Sequence, residues 1–395
     1  MKTISVIRHI EEFKNILLYS KNIGFFFGAG TSCAFGLPNI ISLSKDVKEQ
    51  FSSENQKAFD MITEIVKKVH LKENPTIEDV LNYARQIKDI TGGLPDIEYS
   101  GITGSTIKAL EKDMCDKIYK VISEKENEAC FKELRDFFIW YSSYCKGNKK
   151  EIFTTNYDML IEKAMEANFI PYFDGFCGGY EPFFNPDSID ATLVSSDITV
   201  DWIRLWKLHG SLNWALKEKT DFSTERIIRI GKVENPSNEI MIYPSREKYN
   251  LSRKEPFITY FDKMKKYLRT GELLFITSGY SFLDEHINDV IFGSLQQNNR
   301  LYVVVLCYSD EQVEYMQKYS SAYLNLCVMG PKKVILNGVL SEWSFDEEHS
   351  DTINTETFWN KANETFTLGD FKKLVEFLID NSGQTNLNGV DRNEK

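Results

Sequence analysis

Hydrophobic positions along this chain follow two periods. Ile7, Ile10, Phe13, Ile16 and Leu17 recur every three or four residues and predict a helix over residues 1–20. The run Ile23-Gly24-Phe25-Phe26-Phe27 is continuously apolar and reads as a strand buried on both faces. It breaks at Gly28-Ala29-Gly30-Thr31-Ser32, and Pro38 opens a second helix through about Phe51. From about 54 to 150 the helical period dominates, with Phe59, Ile62, Ile65, Val66 and Val69 on one face and Ile118, Val121, Phe131, Leu134, Phe137 and Phe138 marking later helices. Strands are expected at 151–155, 203–208, 227–233, 239–243, 273–277 and 301–306, with a loop-rich excursion at 171–200. Helices are expected after Tyr157, at 256–269 and at 284–296.

Buried strands alternating with helices predict an α/β chain, a Rossmann-like doubly wound parallel sheet. We expect a domain over 1–310 carrying a helical insertion, or small domain, at 54–150. A C-terminal extension at 311–380, with one helix near 368–380, either completes the core or serves oligomerisation. The polar tail at 381–395 is expected to be disordered.

Composition narrows the picture. With 395 residues, 42% of them hydrophobic and 13% aromatic, the chain can fill a substantial core. No window approaches 18 consecutive apolar residues, and the N-terminus lacks signal-peptide order, so a cytoplasmic protein with no membrane partner is expected. Seven cysteines, Cys33, Cys115, Cys130, Cys145, Cys177, Cys307 and Cys327, are scattered without a C-x-x-C pair, which argues against a disulfide framework or a thiolate zinc site. The net charge of −11 opposes direct binding of nucleic acid.

Five polar turns follow the apolar strands. Gly28, Ala29, Gly30, Thr31 and Ser32 form a small-residue turn whose backbone N–H groups suit a diphosphate, although a tight connection alone explains such a turn. Cys33 stands where a third glycine would complete the dinucleotide fingerprint. Thr155-Asn156-Tyr157-Asp158 places an amide and a carboxylate past a strand end, suited to a ribose hydroxyl, a water or a carboxamide, or simply to capping the next helix. Lys207-Leu208-His209-Gly210-Ser211 puts an imidazole at a third strand end, as a proton acceptor or a structural histidine. Ser278-Gly279-Tyr280-Ser281 and Cys307-Tyr308-Ser309 complete the series.

Together, Gly-Ala-Gly-Thr-Ser with Gly-Leu-Pro, Thr-Thr-Asn-Tyr-Asp, Leu-His-Gly-Ser and Gly-Tyr-Ser-x-x-Asp resemble the sirtuin superfamily over roughly residues 20–310. The likeness is greatest to the sirtuin-like NAD⁺ hydrolases of bacterial antiphage defence. The resemblance implies that Asn156 and His209 are catalytic, and that Gly28, Ala29, Gly30, Thr31 and Ser32 line the NAD⁺ diphosphate. It further implies that Asp158 binds the nicotinamide carboxamide and that Gly279 and Ser281 support the adenosine half. It implies a homo-oligomer, with a HerA-type helicase ATPase as candidate partner. Deacylating sirtuins carry an aromatic-arginine pair and four zinc-binding cysteines. Here Asn39-Ile40-Ile41 follows Pro38 and no cysteine lies between Ser211 and Glu272, so we expect no zinc ribbon and no metal. The alternatives are an NAD-dependent protein deacylase and a non-hydrolysing NAD or ADP-ribose-binding regulatory subunit.

Overall fold

The computed structural model describes residues 2–71, 73–144, 148–190, 201–217, 226–231, 255–346 and 354–381. The strand expected at 239–243, Cys145 and residues 382–395 lie outside the described residues. Ile23–Phe27 (β2) is buried at all five positions because helices cover both faces of its sheet. Side chains alternate along it. Phe25 meets Phe137 edge-on, with ring centroids 4.9 Å apart, in one core, while Phe26 lies 4.6 Å from Tyr280 in the other.

One ten-stranded sheet organises the molecule. Its strands, numbered along the chain, are Lys2–Ser5 (β1), β2, Lys150–Thr154 (β3), Tyr172–Phe173 (β4), Ile203–Lys207 (β5), Leu273–Ser278 (β6), Leu301–Leu306 (β7), Leu326–Met329 (β8), Lys333–Leu336 (β9) and Val339–Ser344 (β10). Their order across the sheet is β1-β10-β9-β8-β7-β6-β2-β3-β5-β4. Among these, β9 alone runs against the others. The α/β, Rossmann-like architecture is therefore present, with that one antiparallel strand. The chain goes one way from β2 to β3 and β5, and the other way to β6 and β7, so a crevice opens between β2 and β6 at the strands' C-terminal ends.

Three differences from the expected elements stand out. Residues 2–5 are strand, pairing in parallel with β10, and Ser5 then caps helix Val6–Tyr19 (α1) by accepting from the Arg8 amide. After β9, Asn337 and Gly338 both have positive φ (50° and 74°), and this two-residue turn folds β10 back on β9. The excursion at 171–200 holds short strands as well as loop. Phe176–Cys177 and Phe183–Phe184 join Trp214–Lys217 and Arg226–Arg229 in a small antiparallel sheet.

Helices Ala29–Cys33 (α2), Ile40–Lys48 (α3), Ser53–His70 (α4), Ile77–Thr91 (α5), Gly104–Glu128 (α6) and Lys132–Ser143 (α7) fill the interval between β2 and β3. Of these α7 covers the main sheet, through Phe137 and Tyr141 against Phe25. Leu160–Ala167 (α8), Phe257–Arg269 (α9), Glu285–Gln297 (α10), Asp310–Ser320 (α11) and Phe371–Asn381 (α12) complete the layers. Phe371 at the start of α12 packs edge-on against Phe27 (5.3 Å) and Phe35 (5.9 Å), so the start of α12 is built into the core beneath the glycine turn. Among the described residues, no helix is long and apolar enough to cross a membrane.

Two measurements check this packing. Phe371→Ala should lower unfolding free energy by about 3–5 kcal/mol in urea titrations, a cost that a loosely attached terminal helix would not show. His9 on α1 is buried beside Trp343 and Cys327, and burial lowers its imidazole pKa from 6.5 to about 4. Glu12, 3.7 Å away, is exposed and too well solvated to offset this. Below pH 6.5 the unfolded chain binds a proton that the folded chain refuses, so stability complete above 6.5 is lost as pH falls toward 4. Over that window the native chain should lose about 3 kcal/mol more than His9→Leu, read from urea midpoints at each pH.

Candidate active site

The loops after β2, β3, β5, β6 and β7 all reach one cavity of about 910 Å³. It lies at the crevice the strand order creates. Of the residues singled out from the sequence, Ala29, Gly30, Ser32, Asn156, Asp158, His209, Gly279 and Ser281 border it, while Gly28 and Thr31 do not.

The glycine turn is held by protein as well as open to the cavity. The Gly28 amide donates to the Ser278 carbonyl, the Gly30 amide to the Gly279 carbonyl (both 2.9 Å), and the Thr31 amide to the Gly28 carbonyl (3.1 Å). A Cβ on Gly30 would fall 2.6 Å from the Gly279 Cα, and one on Gly279, whose φ is +65°, would fall 2.3 Å from the Thr31 nitrogen. The small residues thus let two loop backbones touch. Three amides that the sequence suggested for a diphosphate are already engaged.

Asn156 is buried at the centre of this arrangement. Its Nδ2 lies 2.9 Å from the Gly28 carbonyl, 3.1 Å from Thr31 Oγ1 and 2.9 Å from Ser32 Oγ. A flipped amide would set Oδ1 against that carbonyl oxygen, so the orientation is fixed and Oδ1 makes none of these contacts. Ser32 Oγ in turn donates to Asp158 Oδ2 (2.6 Å), whose Oδ1 caps α8 by accepting from the Leu160 amide (3.1 Å). Asp158 therefore holds the first turn of α8 and borders the cavity at once.

His209 borders the cavity paired with a carboxylate: its Nε2 is 3.0 Å from Asp284 Oδ2. Asp284, at the N-cap of α10, was not among the residues assigned from sequence, although it ends the Gly-Tyr-Ser-x-x-Asp pattern. Thr76, Glu78 and Asp79, at the start of α5 in the 54–150 insertion whose role the sequence left open between covering the site and a subunit contact, border the cavity, as do Gly369, Asp370 and Phe371, before and within α12, which no sequence motif marked. Cys33 borders it too, and its thiol pKa is raised by burial and by the Asp158 carboxylate. Among the described residues, no group of three or more His, Cys, Asp or Glu side chains is arranged to hold a metal ion.

Lys207, the last residue of β5, supports both polar loops from below. Only 2% exposed, its ammonium donates to the Asp158 carbonyl (2.6 Å), Glu162 Oε1 (2.7 Å) and Ser211 Oγ (2.8 Å), so its three protons match three acceptors. Burial raises the Glu162 carboxyl pKa, against the pull of this cation. Lys207→Met should cost about 3–5 kcal/mol in urea unfolding, because Glu162 would be left buried without its partner. Adding Glu162→Leu should recover part of that loss, whereas a pair of no structural weight would show neither change.

Comparison with known proteins bears on the same segment. The family model described as SIR2-like domain matches residues 150–326, a span that holds Asn156, Asp158, His209, Gly279, Ser281 and Asp284. No curated protein sequence matches. Similar solved structures include a mutant Sir2 homologue in complex with ADP-ribose (12% identity, 78% of this chain and 96% of that chain, TM-score 0.35). They also include a Sir2 homologue in complex with NAD (13% identity, 78% of this chain and 94% of that chain, TM-score 0.35). Over residues 150–326 the chain is similar to the SIR2-like domain family, in keeping with the sirtuin-superfamily resemblance of its motifs.

Proposed function

We propose that this protein is an NAD⁺ hydrolase that cleaves the nicotinamide N-glycosidic bond, taking up water and releasing nicotinamide, ADP-ribose and a proton. The observation that carries the reading is the meeting of Asn156, Asp158 and His209, from two strand ends, in one cavity beside the glycine turn. The cavity, about 910 Å³, is near the upper end of the roughly 300–1,000 Å³ usual for small-molecule sites, room enough for a dinucleotide.

The dinucleotide supplies a leaving group that departs neutral, while positive charge builds on the sugar carbon. Asn156, its amide fixed, presents Oδ1 to a ribose hydroxyl or to the attacking water. His209 accepts the proton that this hydroxyl or water gives up. Asp158, with further acceptor capacity beyond its two present bonds, holds the carboxamide NH₂. Ala29, Gly30 and Ser32, which border the cavity, lie along the diphosphate, Gly28 and Thr31 shape their turn from behind, and Gly279 and Ser281 support the adenosine half. Glu78, Asp79, Asp158, Asp284, Glu285 and Asp370 border the cavity, and no Lys or Arg does among the described residues. That excess of carboxylates favours the cationic pyridinium ring and the charge that develops as it leaves.

The setting proposed is antiphage defence by NAD⁺ depletion, by a cytoplasmic homo-oligomer working with a HerA-type helicase ATPase. Family resemblance supports that part. The missing aromatic-arginine pair and zinc cysteines favour hydrolysis over deacylation.

Purified protein, with and without the candidate ATPase, should convert NAD⁺ to nicotinamide and ADP-ribose, resolved chromatographically from cyclic and O-acyl products. Asn156→Ala and His209→Ala should each reduce nicotinamide release by roughly 10²–10⁴-fold while circular dichroism stays unchanged. Full turnover in both variants would remove the site assignment. Tight ADP-ribose binding without nicotinamide release would favour the regulatory-subunit reading.

A further inference from the structure

We propose that Asp284 is a positioning residue that fixes the ring orientation and tautomer of His209, so that Nδ1 is the nitrogen that takes the proton. The proposal rests on the reading of His209 as proton acceptor. Its geometry is that of an imidazole held by a carboxylate whose other oxygen is already tied down. Asp284 Oδ2 lies 3.0 Å from His209 Nε2, and Oδ1 accepts from the His286 amide at 3.1 Å. Both side chains are largely withdrawn from water, 13% exposed for His209 and 11% for Asp284. An ionised carboxylate can only accept, so Nε2 must carry a hydrogen and the neutral ring then keeps its lone pair on Nδ1.

The carboxylate itself has little freedom to move. The Tyr280 hydroxyl lies 3.2 Å from the Asp284 carbonyl and 3.1 Å from Asn288 Oδ1, and Asn288 Nδ2 donates to the Phe282 carbonyl (2.8 Å). The Gln312 side chain donates to the Tyr280 carbonyl at 2.6 Å. These bonds brace the turn from Tyr280 to α10. Because the same turn begins at Gly279, whose carbonyl takes the Gly30 amide, the imidazole is registered against the glycine turn through Asp284. A second group that orients the base is what a proton-accepting histidine requires to spend its time in the productive tautomer.

Asp284→Asn is the informative variant, because asparagine caps helices as well as aspartate and so preserves the start of α10. Glu78, Asp79, Asp158, Glu285, His286 and Asp370 border the same cavity and remain in the variant, so a change in His209 titration belongs to position 284. Histidine-selective ¹⁵N NMR on the ligand-free protein, with the His209 signals identified by their loss in His209→Ala, should show Nε2 protonated in the neutral native ring. In Asp284→Asn the titration midpoint should move to lower pH, since an anion that favoured the imidazolium is gone. Steady-state assays on NAD⁺ should show kcat reduced roughly 10–100-fold with KM little changed, the acid limb displaced the same way, and Asp284→Glu restoring part of the rate. A His209 titration and tautomer identical in native protein and Asp284→Asn would overturn the proposal, as would an unaltered kcat. If the NMR change occurs but His209→Ala still hydrolyses NAD⁺ at the native rate, the pairing stands and the assigned function of His209 falls. Unchanged signals with an inactive His209→Ala would do the reverse.

Discussion

Two backbones touch at the middle of this protein, and the site is built outward from that contact. Gly30 and Gly279 approach so closely that a single methyl on either would collide with the other loop. The approach is possible because β2 and β6 are neighbours in the sheet, although some 250 residues separate them along the chain. It has a chemical result. The loop that leaves β2 and the loop that leaves β6 are held by main-chain hydrogen bonds, so the residues they carry keep a set distance across the crevice without a packed side chain filling it.

The other half of the site is registered by polar side chains working beneath the surface. Asn156 ties the β3 loop to the glycine turn through the Gly28 carbonyl, and Lys207 ties the same loop to the turn bearing His209. Each is a buried donor with its acceptors supplied by main chain and hydroxyl groups and, for Lys207, by the Glu162 carboxylate. Such groups are costly when left unpaired, so a small displacement of one loop is opposed by the loss of several bonds at once. Rigidity of this kind keeps the polar groups that border the cavity at fixed separations.

What could be read from the sequence divides along the same physical line. Strands buried on both faces announce themselves by unbroken apolar runs, and Ile23–Phe27, Leu273–Ser278 and Leu301–Leu306 were legible for that reason. The polar turns that follow them were legible because hydroxyls, amides and an imidazole interrupt such runs abruptly. Edge strands were not. Lys2–Ser5 is partly exposed and too short to show a period, and it was absorbed into the helical pattern that begins at Val6. The Asn337-Gly338 pair was a usable hairpin signal, with apolar residues on both sides, and would have placed β9 and β10. The contribution of Asp284 could not be inferred from spacing, because its partner lies 75 positions away and the pairing depends on strand order.

The segment that enters α12 belongs to this argument as well. A Cβ on Gly369 would come within 2.1 Å of the Cys307 carbonyl, so the segment entering α12 lies directly on the loop after β7. Two residues on, Phe371 fills the space under the glycine turn, against Phe27 and Phe35. The cavity wall therefore includes residues from near both ends of the sequence, and its shape depends on contacts of long sequence separation. Such a wall forms only when the whole sheet has assembled, which couples the geometry around Asn156 and His209 to the global fold rather than to any local segment.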